Sequence, residues 1–185
     1  MLAYVRPSIV VEEYLDDDGT VIPYGSRWLD NDRDGPEDTY SVTKHPERFQ
    51  PLVDVAHAII DHLVATYDVE REDPDDLTVV LWPHEEDVTT LTFTFTPFPS
   101  VRVAGGASPI FQDMCGCDHC DEDVIGLIQS LEEAVAGVVA GQFIEWTSGY
   151  ELRHADGSEW QVLEGPDGGG QRSRRHYRPW SVRSR

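Results

Sequence analysis

Apolar residues recur at spacings of three and four through Leu52, Val55, Ala56, Ile59, Ile60, Leu63 and Tyr67, a period that predicts a helix with one buried face. Pro51 suits its first turn, where the missing N–H has no partner to lose. Asp73-Pro74-Asp75-Asp76 breaks the pattern, and Leu77 to Trp82 then reads as a strand. Leu91, Phe93 and Phe95 alternate with Thr92, Thr94 and Thr96, the period-two signature of a half-buried strand. Pro97-Phe98-Pro99-Ser100 turns that strand, and Val101 to Val103 returns. Ile125, Ile128, Leu131, Val135 and Val138 supply the apolar face of a second helix, expected from about Asp121 to Ala140. Asp121, Glu122 and Asp123 would form its acidic first turn at the positive end of the helix dipole, with Gly141 just past its end. Val10 to Leu15 and Thr20 to Tyr24 flank Asp18-Gly19, and Phe143 to Arg153 and Glu159 to Leu163 flank Asp156-Gly157; both read as hairpins. His45-Pro46-Glu47-Arg48-Phe49 reads as a short helical turn.

The order hairpin, helix, strands, helix, hairpin predicts an α+β fold: a mainly antiparallel sheet with two helices packed on one face. No regular βαβ alternation and no repeat of solenoid length is present. From Gly165 the composition changes. Gly168-Gly169-Gly170 resembles a flexible linker, and Arg172, Arg174, Arg175, Arg178, Arg183 and Arg185 follow it. The expected division is an acidic domain over 1–164 and a disordered, arginine-rich tail over 165–185.

Charge sharpens this picture. The chain of 185 residues carries a formal net charge of −21, and Lys44 is its one lysine. So anionic a surface repels nucleic acid and anionic lipid, and matches cationic proteins or metal ions better. The tail is the one segment suited to nucleic acid, because its arginines are interleaved with His176, Tyr177 and Trp180; a protein partner or docking onto its own domain are the competing roles. No stretch has the length and apolarity of a membrane span, and no secretory leader is recognisable at the N-terminus.

All three cysteines fall in Cys115-Gly116-Cys117-Asp118-His119-Cys120. So tight a cluster is no disulfide framework, and it suggests a reducing, cytoplasmic setting. Three readings apply. Thiolates are strong zinc ligands, so Cys115, Cys117 and Cys120 could hold a structural zinc, with His119, His84, His154 or water completing four-coordination. Cys117 and Cys120 form a Cys-x-x-Cys pair ahead of a helix, the arrangement of thiol oxidoreductases, although Asp113, Asp118 and Asp121 oppose thiolate formation. Thirdly, cysteines are small soft residues that fill gaps in cores.

Asp30-Asn31-Asp32-Arg33-Asp34-Gly35 matches the first half of a calcium loop, in which Asp30, Asp32 and Asp34 would converge on a hard cation. Position twelve is Ser41 rather than a bidentate glutamate, and Pro23 and Gly25 leave no entering helix. His57 and His62 are five apart and share no helical face. No His-Glu-x-x-His, Gly-x-Ser-x-Gly or phosphate-binding glycine loop is present.

Tyr24-Gly25-Ser26-Arg27-Trp28, Tyr40-Ser41, His45 to Leu52 (HPERFQPL) and Cys115 to Glu122 (CGCDHCDE) together resemble a family of uncharacterised actinobacterial proteins, catalogued only as a domain of unknown function. The likeness spans about Tyr24 to Trp146 and implies no activity, cofactor or catalytic residue. The leading expectation is a cytoplasmic, non-enzymatic binding or regulatory domain with a possible zinc at the cysteine loop. The alternatives are a thiol oxidoreductase or zinc hydrolase built on the same loop, and a protein-interaction module using the acidic face or the basic tail.

Overall fold

Tyr14–Leu15 (β1) and Val21–Ile22 (β2) pair antiparallel across the Asp18-Gly19 turn, a shorter hairpin than the flanking apolar residues suggest. The computed structural model describes residues 4–28, 35–112, 115–147, 149–153, 159–163 and 174–184. Asp30, Asp32, Asp34, Asp113, His154 and the Asp156-Gly157 turn lie outside the described residues. A short 3-10 turn over Pro46–Phe49 leads directly into helix α1, Gln50–Thr66, with Pro51 in its first turn. Leu52, Val55, Ala56, Ile59, Ile60 and Leu63 are buried along one face, as their spacing predicts.

Five strands follow as an antiparallel meander: β3 (Val69–Asp75), β4 (Thr78–Pro83), β5 (Leu91–Thr96), β6 (Ser100–Gly105) and β7 (Ser108–Phe111), in that spatial order. On β5 the Leu91, Phe93 and Phe95 side chains are buried while the threonines are only half so. Helix α2 spans Val124–Val139. Both helices cover the apolar face of this sheet: α1 packs on β3, β6 and α2, and α2 packs on β7. A second sheet, ordered β10-β9-β8-β11, comprises β8 (Phe143–Trp146), β9 (Gly149–Arg153), β10 (Glu159–Leu163) and β11 (Arg175–His176). Because α2 also packs on β9, it joins the two sheets into one core.

Three elements depart from the sequence pattern. Strand β3 reads as Val-Glu-Arg-Glu-Asp-Pro-Asp, with everything after Val69 exposed. It has no apolar alternation because it is an edge strand, where acidic side chains and Pro74 are tolerated and deter pairing with another chain. Strand β7 has no counterpart among the elements the sequence pattern predicts; the turn at Gly105-Gly106 folds it back on β6 and buries Ile110 and Phe111. Helix α2 starts at Val124, not Asp121. Asp123 is its N-cap, its carboxylate accepting from the backbone N–H groups of Ile125 and Gly126. Asp121 and Glu122 are thereby released for the cysteine loop.

The C-terminal segment divides. Residues 164–173 lie outside the described residues, but 174–184 are packed on the domain. Trp180 is only 4% exposed, and its indole N–H donates to the Thr89 carbonyl at 3.0 Å. Tyr177 is buried with its ring stacked 5.5 Å from that of Phe143. The Asp68 N–H donates to the Ser181 carbonyl, the Arg183 N–H donates to the Thr66 carbonyl, and Val182 bridges to Tyr67. This strap is docked on its own domain. Arginine-rich composition masked it, because two aromatic anchors and main-chain pairing fix the strap while its arginines stay in solvent. No helix among the described residues is long and apolar enough to cross a membrane.

Candidate metal centre

The chain from Phe111 to Val124 must run from the end of β7 to the start of α2, and the cysteines lie on that connection. Its described residues form no helix or strand, so their shape is set by bonds from elsewhere. The Asp118 N–H donates to the Val42 carbonyl at 2.7 Å, and the Gly116 N–H donates to Glu122 Oε2 at 2.7 Å. The Gly116 carbonyl accepts from Thr43 Oγ1 and from Arg48 Nη2, each at 3.2 Å. Gly116 itself has φ +68, and a Cβ there would lie 2.5 Å from the Phe98 ring. Only glycine fits, on both grounds. Gly116→Ala is expected to destabilise the protein by about 1–3 kcal/mol through backbone strain and the clash, read from the urea midpoint.

Held this way, the three sulfurs converge. Cys115 Sγ lies 3.1 Å from Cys117 Sγ, Cys117 Sγ lies 3.5 Å from Cys120 Sγ, and all three fall within 4.8 Å of one another. Zinc–sulfur bonds of about 2.3 Å set tetrahedral sulfurs about 3.8 Å apart, so the cluster is close enough to share one ion after displacements of less than about 1 Å. Cys115 and Cys120 are exposed and Cys117 is buried, which is unlike a set of cysteines filling a core. Burial pushes the Cys117 thiol up, but hydrogen bonds from Cys115, from the backbone N–H groups of Cys120 and Ser41, and from the Cys120 thiol bring it down to about 7. The Cys120 thiol is pushed up to about 12, first by burial and then by the neighbouring sulfurs. One proton thus leaves readily, and later ones leave against an existing thiolate.

His119 does not join the sulfurs. Its Nδ1 lies 3.2 Å from the Pro36 carbonyl, and its ring meets Tyr40 edge-on at 5.2 Å. His84 stands 4.0 Å from the Asp68 carboxylate, on the strand side of the molecule. Among the described residues no imidazole or carboxylate completes the three-sulfur group.

Beneath the loop lies a network that the sequence pattern did not single out. Asp118 and Asp121 are almost fully buried, and so is Arg48. Arg27 donates from its backbone N to Asp121 Oδ2 at 2.7 Å and from Nε to Asp121 Oδ1 at 2.8 Å, and its Nη2 reaches the Asp118 carbonyl at 2.6 Å. Arg48 Nη1 lies 3.4 Å from Asp118 Oδ1, and the Lys44 N–H donates to Asp118 Oδ2 at 3.3 Å. Both guanidiniums lie over the Tyr24 ring, Arg48 at 3.9 Å and Arg27 at 4.4 Å from its centroid. Burial pushes the Tyr24 hydroxyl up to about 12, so it stays protonated and donates to Asp118 Oδ1. Asp118 and Asp121, two of the carboxylates expected to oppose thiolate formation, are therefore paired with arginines. Three strings far apart in the chain, around Tyr24, Arg48 and Cys117, meet at this one place.

Fold and site together define a small α+β domain in which a clamped connection presents three converging thiols beside a buried arginine–aspartate network. A family of unknown function, DUF6226, has a sequence profile that matches residues 10–184, and the chain belongs to that family. No curated protein matches the chain, and no solved structure does.

Proposed function

We propose that the protein is a cytoplasmic binding or regulatory domain whose Cys115, Cys117 and Cys120 hold one zinc ion, with water in the fourth position. The convergence of the three sulfurs within 4.8 Å carries this reading. Two backbone N–H groups aimed at the Cys117 sulfur support it, because they stabilise a thiolate before any metal arrives. The ion would ionise all three thiols outright, offsetting the burial and the neighbouring sulfurs that keep Cys120 protonated in its absence. A thiol oxidoreductase fits less well. Such chemistry needs an accessible thiolate, and here the readily ionised sulfur is the buried one.

Native mass spectrometry of protein purified without chelator is expected to show one zinc per chain. Cobalt substitution should give thiolate-to-metal charge-transfer absorption, and Cys117→Ser should weaken zinc binding by at least about 100-fold. Because ionised sulfur is the ligand, affinity should rise between about pH 6 and 8 with release of protons. A metal-free mass whose three thiols take up no added zinc overturns the reading.

A further inference from the structure

A cavity of about 440 Å³ opens between the two helices, on the strap side of the molecule. Its walls are Ile59 and Leu63 of α1, Val135 and Val139 of α2, and Trp180 and Val182 of the strap. Volume and apolar lining both fall in the ~300–1,000 Å³ class of small-molecule sites. Four polar side chains reach it: Tyr4, His62, Tyr67 and Glu132.

Their bonding limits what can enter. Glu132 Oε1 accepts from the Tyr4 hydroxyl at 3.0 Å and from Arg6 Nε at 2.8 Å, while Oε2 accepts from Arg6 Nη2. The Arg6 charge is thereby spent on Glu132 at the rim. Oε2 keeps room for one more donor, because a carboxylate oxygen has two lone pairs. His62 lies edge-on to Tyr4, and its Nδ1 meets Thr66 Oγ1 at 3.4 Å. Burial lowers the His62 pKa, which favours the neutral ring. The lining therefore offers an anionic ligand no unspent cation, and a cationic ligand would have to displace Arg6.

We propose that this cavity is a binding site for an uncharged apolar small molecule bearing a hydroxyl, its hydrocarbon lying between α1 and α2 under the strap and its hydroxyl donating to Glu132. The site shares no residue with the cysteine loop, and its test is independent of metal.

The neutral apolar fluorophore N-phenylnaphthylamine, titrated into the full chain, is expected to saturate at one equivalent. Octanol should displace it at concentrations at least about tenfold below those needed for octanoate or octylammonium. Ala136→Phe, placed on the cavity wall by an exposed position of α2, should weaken probe binding by at least about tenfold while the thermal midpoint holds. Should that variant fold poorly, Ala140→Leu fills the same space from the end of the helix. Unsaturable binding overturns the proposal, as does equal binding by a folded cavity-filled variant, or displacement by either charged analogue as readily as by octanol.

Discussion

Trp180→Ala is expected to lower the stability of the protein by about 3–5 kcal/mol, the usual cost of deleting a buried indole. For a chain of this size that corresponds to a drop in thermal midpoint of roughly 6–20 °C. The loss has two sources. The ring is almost wholly buried, and the Thr89 carbonyl loses the indole N–H that satisfies it. Truncation after residue 173 should cost more, since it also removes Tyr177 from Phe143 and the main-chain bonds to Asp68 and Thr66. Calorimetry of the two variants against the full chain measures both. Unchanged midpoints would show that residues 174–184 are an appendage and not part of the core.

Asp118→Asn is expected to cost about 3–5 kcal/mol, because it leaves buried Arg48 without its anion. The pair is not itself a strong source of stability. Burial is the largest influence on the Arg48 pKa and, with neighbouring Arg27, leaves it lowered despite the attraction of Asp118 and Asp121. The pair specifies geometry: Asp118 is fixed by Arg48, Tyr24 and the Lys44 N–H, and its own N–H and carbonyl anchor the loop between Cys117 and Cys120. Arg48→Met combined with Asp118→Leu should therefore cost less than the two single changes added together, the difference giving a coupling energy of about 0.5–3 kcal/mol. Denaturant unfolding of the four proteins reads this. Additive losses would mean that the two side chains do not act on each other.

Much of the fold was legible in local pattern. The helix over Gln50–Thr66 and the strand over Leu91–Thr96 each bury one face, and a buried face imposes its period on the sequence. Strand β3 was illegible for the same reason, since an exposed edge strand imposes none. The start of α2 was misplaced by three residues because Asp121, Glu122 and Asp123 look alike in sequence. Only one of them caps the helix, while Asp121 binds Arg27 and Glu122 binds the Gly116 N–H.

The candidate site divides along the same line. That three thiols lie within six residues is a property of the chain alone, and so is the near-absence of other metal-ligating clusters in its motifs. That their sulfurs point at one another, that His119 turns instead to Pro36 and Tyr40, and that Arg27 and Arg48 neutralise the neighbouring carboxylates were decided by tertiary structure. Periodic burial is a local constraint and leaves a mark in every turn of helix or strand. A loop without regular structure takes its shape from partners 68 to 94 residues away, and no local pattern records which partners those are.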